Sequence, residues 1–259
     1  MSEPISTQER LRGDLVERTR AKDIEVNVAY LNNIILPLAE RYGGFEKVLG
    51  GNSPLSMKPN YALDLAPFLK DQEYVYPNQS VRLRTHSFAR AWNTGADLNS
   101  LVEGKPNDRY KFYLSLNLET PEQMQKARAM FGEILELCRE QKISLLTKSE
   151  DHNYDSCNLY TWDQQKMGDI LEKIYPKYPE IWLNTHHFLQ GKVGSINPMH
   201  VGFVQEPVGG VNGRSHSGRM QILGKTLDFQ SPKTVKAEAY KKACLQSKVK
   251  PHAPWIIAT

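Results

Sequence analysis

The sequence predicts a mixed α+β fold: an N-terminal helical region, then a mainly antiparallel sheet with packed helices. Three observations carry that prediction. Residues 24–42 hold a near-heptad apolar stripe, and residues 111–118 alternate strictly between apolar and polar. Directly after that alternating run, Thr120-Pro-Glu-Gln123 combines an N-cap, a proline at the first helical position and a capping-box partner.

Ser6-Thr-Gln-Glu9 has capping-box spacing and opens the first helix. Ile24, Val28, Leu31, Ile35, Leu38 and Tyr42 then line one face, Pro37 is expected to kink the helix, and Gly43-Gly44 to end it. Residues 50–80, with Pro54, Pro59, Pro67 and Pro77, read as a long irregular connection. Val81 and Leu83 alternate with Arg82 and Arg84, the pattern of a short strand with a cationic face.

In the 111–118 strand, Phe112, Leu114, Leu116 and Leu118 face a core, and Lys111, Tyr113, Ser115 and Asn117 take the opposite face. The helix opened by Thr120 is expected to bury Met124, Ala127, Met130, Phe131, Ile134, Leu135 and Cys138. Residues 143–148 and 156–162 read as further strands, 164–175 as a helix and 200–205 as a strand. A glycine-rich loop at 207–219 follows, and Met220, Leu223 and Leu227 mark the next helix. The expected division is a helical region and connection over 1–80, an α+β domain over 81–228, and a basic tail over 229–259.

Composition bounds the function. With 259 residues, 40% hydrophobic and 24% charged, the chain is long enough to bury a core and unlike a disordered one. No apolar run reaches the ~18 residues of a membrane span, and Met1–Arg10 has no apolar segment of the secretory type. Cys138, Cys157 and Cys244 form no CxxC pair, which argues against a zinc site or disulfide framework and for a reducing, cytoplasmic setting. The net charge of +4 resides in residues 228–259, where six lysines oppose Asp228 and Glu238. It reads as a solvated face, not a nucleic-acid footprint. GxGxxG, Walker, GxSxG and HExxH patterns are all missing, and adjacent His186-His187 point in different directions, so no metal or organic cofactor is implied.

What the sequence offers instead is cations and hydroxyls at strand faces and loop ends. Lys111 and Tyr113 share a strand face, Lys148 ends a second strand, and the glycine loop supplies Arg214, His216 and Arg219. Gly209, Gly210, Gly213 and Gly218 let backbone amides turn toward an anion at the start of the following helix. Arginine's planar fork suits a phosphate in particular.

Lys111-Phe-Tyr-Leu-Ser-Leu, the Lys148 strand, Asp155-Ser-Cys-Asn-Leu-Tyr160, Gly202-Phe-Val-Gln-Glu-Pro-Val-Gly-Gly210 and Arg219, taken in order, resemble the HopA-type effector family over residues 80–228. That family includes Pseudomonas type III effectors and bacterial proteins encoded with peptide-modifying enzymes. The resemblance implies a lyase of class V lanthipeptide and thioamitide biosynthesis. Such an enzyme eliminates phosphate from phosphoserine or phosphothreonine to leave dehydroalanine or dehydrobutyrine. It implies a precursor peptide and a separate kinase as partners, no cofactor, and a cytoplasmic location, or a host cell for a secreted effector. The residues it implies are Lys148 as base, Tyr113 or His152 as acid, and Lys111, Arg214 and Arg219 as phosphate clamp. Asp155, Tyr160, Glu206 and His216 complete the binding set. The sequence has Asn153 where the family often has Arg, and Arg214-Ser-His-Ser-Gly218 where it has Ser-Phe-Gly. Those departures fit an alternative, a non-catalytic phosphopeptide- or host-protein-binding effector of the same fold.

Overall fold

The computed structural model describes residues 7–50, 63, 87–92, 109–143, 145–150, 156–184, 190–206, 215–230 and 233–258. They are mixed α+β, and the chain divides into two compact units: residues 1–51 with 217–259, and residues 52–216.

In the first unit, α1 (Thr7–Tyr30) runs into a five-residue π-helical turn, Leu31–Ile35, and then α2 (Leu36–Tyr42). The expected disturbance at Pro37 takes this form. Proline lacks the amide N–H and its ring crowds the carbonyl four residues back, so the turn before it widens. Gly43 adopts φ 86° and ends α2 as a left-handed cap. Leu31 and Ile35 of the predicted stripe are fully buried.

The Asp228 carboxylate accepts hydrogen bonds from the Phe45 and Glu46 amides at 2.7 and 2.8 Å, capping α3 (Phe45–Leu49) from α6 (His216–Gln230). A side chain at Gly44 would strike that carboxylate. The lysine-rich stretch contributes α7 (Ala237–Gln246) and, in a later two-stranded pair, β7 (Val249–Lys250) and β8 (Ala253–Ile257). Its lysines are exposed or half-exposed, while Val235, Tyr240, Ala243, Cys244 and Val249 are buried. The Asn32 carboxamide exchanges bonds with the backbone of Val235 at 2.7 and 2.9 Å, and Asn27 donates to the Pro251 carbonyl at 3.1 Å.

The second unit holds a six-stranded antiparallel sheet in the order β1-β3-β4-β2-β6-β5. Its strands are β1 (Ser87–Trp92), β2 (Arg109–Leu114), β3 (Leu145–Glu150), β4 (Cys157–Thr161), β5 (Gly191–Lys192) and β6 (Val201–Glu206). Two helices, α4 (Pro121–Glu140) and α5 (Gln164–Ile174), pack against each other.

The capping box is present as the sequence predicts: Thr120 Oγ1 accepts from the Gln123 amide, and Gln123 Oε1 accepts from the Thr120 amide. Ala127, Met130, Phe131, Ile134, Leu135 and Cys138 are buried, with Met124 half-exposed. Phe112, Leu114, Leu116 and Leu118 are at most 2% exposed, and the Phe112 and Phe203 rings meet at 5.8 Å on that apolar face.

Three boundaries differ from expectation. The 111–118 strand begins two residues earlier and ends at Leu114, because the backbone beyond it finds other partners. Ser115 donates to the His200 carbonyl, Asn117 to that of Ile181, and Leu116 forms an isolated bridge with Trp182. The 143–148 strand lies at 145–150, and α6 starts at His216, before Met220. The expected strand at 81–84, the 51–62 and 64–80 parts of the connection and the 207–214 part of the glycine loop lie outside the described residues. Among the described residues no helix is long and apolar enough to cross a membrane.

Candidate functional site

Residues directly opposite in an antiparallel pair present their side chains to the same face. The register therefore defines what lies across the sheet from the apolar face. Tyr113 on β2 pairs with Asn158 on β4 and with Gly202 on β6, and Asn158 pairs in turn with Lys148 on β3. The next row joins Val204, Lys111, Tyr160 and Leu146, and Arg109 stands opposite Glu206 beyond it.

The polar face is more closed than alternation alone suggests, with Tyr113 at 6% and Ser115 at 0% exposure. Lys111 Nζ sits 4.1 Å from the Tyr113 ring centroid and 5.7 Å from that of Tyr160. The Arg109 guanidinium lies 5.0 Å from the Tyr160 ring. Ring quadrupoles hold such cations at about 0.5–2 kcal/mol each.

Three buried polar groups on this face have no hydrogen-bond partner among the described residues. Asn158 is fully buried and neither its Oδ1 nor its Nδ2 is satisfied. The same holds for the Nε of Arg109 and the Oε1 of Gln190. The Gln190 carboxamide lies over Gly202, where any side chain would collide with it. The row thus reads Gln190, Tyr113, Asn158 across three strands. Leaving a buried donor or acceptor unmade costs about 1–3 kcal/mol, and Asn158 bears that cost at both ends of its carboxamide.

Sequence-predicted residues distribute unevenly over this geometry. Lys111, Tyr113 and Tyr160 come together as described. The backbone of Lys148 is opposite Asn158. Glu206 and His216 also meet: the His216 amide donates to Glu206 Oε1 at 3.3 Å, so a carboxylate caps the first turn of α6. Arg219, 3% exposed, belongs to the residue range of the first unit. His152, Asp155 and Arg214 lie outside the described residues.

Arg109, Asn158 and Gln190 escaped sequence reasoning. Extending the period of two back from Lys111 reaches Arg109, and Asn158 lies within the Asp155–Tyr160 segment. Nothing local marks Gln190.

A second polar cluster lies elsewhere in this unit. Tyr175 Oη and His200 Nδ1 are 2.7 Å apart, and His200 Nε2 and Asn184 Oδ1 are 2.8 Å apart. With Nε2–H donating to the amide oxygen, Nδ1 accepts from the phenol. The Trp182 ring stacks on the imidazole at 6.1 Å. Burial holds the His200 pKa below its ordinary value. Of the three thiols, all buried and unpaired with one another, burial pushes Cys138 and Cys244 up to about 12, far from reactive thiolates.

Fold and face together define a mixed α+β protein whose sheet sets lysine and arginine against aromatic rings on its polar face. No family model matches the chain, and no curated protein matches it. Among solved structures it is similar to the effector protein from Pseudomonas syringae pv. tomato strain DC3000. That likeness has 13% identity and a TM-score of 0.47, and covers 100% of this chain and 85% of the other. It is also similar to the effector protein from Pseudomonas syringae pv. syringae strain 61, at 10% identity and a TM-score of 0.45, with the same coverage.

Proposed function

We propose that the protein is a lyase that removes phosphate from phosphoserine or phosphothreonine in a peptide, acting in the cytoplasm on a product of a separate kinase. The observation that carries this reading is the register of β2, β4 and β3. Tyr113, Asn158 and Lys148 stand abreast, with Lys111 one pleat along from Tyr113. Adjacent strands lie about 4.8 Å apart, so the backbones of Tyr113 and Lys148 are roughly 10 Å apart along the sheet, a span that matches one phosphorylated residue.

In the elimination, Lys148 takes the α-proton and the C–H electron pair becomes the Cα=Cβ bond. The Cβ–O bond breaks, and phosphate departs with its electron pair, accepting a proton from Tyr113 or His152. Lys148 serves as base near neutral pH only if neighbouring cations or burial lower its pKa. Lys111 and Arg109 offset the leaving group's charge.

The test is incubation of a phosphoserine peptide with the protein and mass spectrometry for loss of phosphoric acid. Lys148→Ala should lower the rate by 10²–10⁴-fold, the usual worth of a positioned base. Tight binding of the phosphopeptide with no elimination would replace the lyase by the non-catalytic binding alternative.

A further inference from the structure

We infer that Asn158, with Gln190, recognises the backbone amides of the bound peptide. This deepens the reading above, on which it rests, by assigning the peptide part of the substrate to named residues. Asn158 is 0% exposed and offers one unsatisfied acceptor and an unsatisfied NH₂. Gln190 offers an unsatisfied acceptor beyond Tyr113 on the same face.

The chemistry selects the ligand. A phosphate dianion has acceptors only and would leave both carboxamide oxygens unmet. A peptide unit presents one N–H and one C=O, the complement of a carboxamide, and successive units can meet Asn158 and then Gln190. Phosphate is matched by charge, from Lys111 and Arg109, and the peptide by neutral carboxamides, so one face divides into a charged and a neutral half. In the elimination, a bond from Asn158 Nδ2–H to the carbonyl of the phosphorylated residue would also steady the charge that develops there as the α-proton leaves. Because Asn158 is sealed from solvent, admission of the peptide requires a local rearrangement. Association should be slower than the 10⁵–10⁷ M⁻¹s⁻¹ usual for preformed sites.

Calorimetry on the full chain tests this with two probes: an acetylated and amidated Ala-phosphoserine-Ala peptide, and inorganic phosphate. Asn158→Leu keeps the branching at Cγ, adds some volume and removes the polar atoms. It should weaken the peptide at least tenfold and leave phosphate within twofold. Gln190→Met should weaken the peptide three- to tenfold with the same selectivity. Equal weakening of both probes, or of neither, in the two variants overturns the assignment. Failure of the lyase reading is distinguishable: elimination would be absent in the wild-type protein while the Asn158-dependent gap between peptide and phosphate persisted. If instead elimination proceeds and Asn158→Leu leaves its KM and kcat unchanged, the lyase stands and this inference falls.

Discussion

The two faces of the six-stranded sheet obey different rules. On one, Phe112, Leu114, Leu159, Phe203 and Val201 are at most 7% exposed and wholly apolar, so burial alone stabilises them. On the other, Arg109, Asn158 and Gln190 bury polar atoms that nothing among the described residues satisfies, beside a lysine held over two aromatic rings. The difference is that one face is held by apolar burial, and the other carries the polar atoms on which the proposed ligand site rests.

The sharpest way to break the comparison is a pair of substitutions one strand apart. Phe112→Ala empties a fully buried site and should cost about 3–5 kcal/mol of unfolding free energy in denaturant titration. Asn158→Leu removes unmatched polar atoms but adds volume at a closed position, so stability should stay within about 1–2 kcal/mol of the wild type. If Asn158→Leu destabilises as much as Phe112→Ala, the polar face is structural and the contrast collapses.

Next in size, Lys111→Met keeps the stem and removes the charge. A tenfold to hundredfold loss of phosphopeptide affinity, about 1.4–2.8 kcal/mol, is expected with little change in melting temperature. A variant that melts early and binds normally would assign Lys111 to the framework.

Thr120→Ala removes the α4 cap and should cost about 1 kcal/mol of stability without altering ligand affinity. Because α4 supplies none of the residues of the polar row, any selective loss of binding would show that the helix and that face are coupled.

The smallest effect concerns acid. Burial lowers the His200 pKa in the folded state, so below the unfolded value of about 6.5 the unfolded chain binds more protons. This contribution is therefore complete above that value and is lost as pH falls through the folded pKa. His200→Gln should flatten the acid limb of the stability profile, and an unchanged limb would remove His200 from the account.

Much of the fold is legible in the sequence because its signals are local. The Thr120 cap, the α4 and α5 stripes and the core alternation of Phe112 to Leu118 each depend on residues within one or two turns of one another. Pro37 announced a disturbance but not the π-turn, since how a helix relieves the proline ring depends on what Leu31 and Ile35 must bury. The site divides in the same way. Lys111 and Tyr113 are two residues apart on one strand, and period two suffices to pair them. Their neighbours Tyr160 and Asn158 arrive from β4, about 45 positions along the chain, and Gln190 is further still.

By itself, then, the sequence determined the α+β class, the helices and strands with their buried sides, and the cationic residue types. Periodicity and capping are short-range effects written in adjacent residues. Only the tertiary structure decided which strands are neighbours and in what register, since strand pairing closes long loops and leaves no local mark. It decided also that the lysine-rich C-terminal stretch packs with the N-terminal helices in one unit, and that Asn158 lies buried between Tyr113 and Lys148 with its carboxamide unmet.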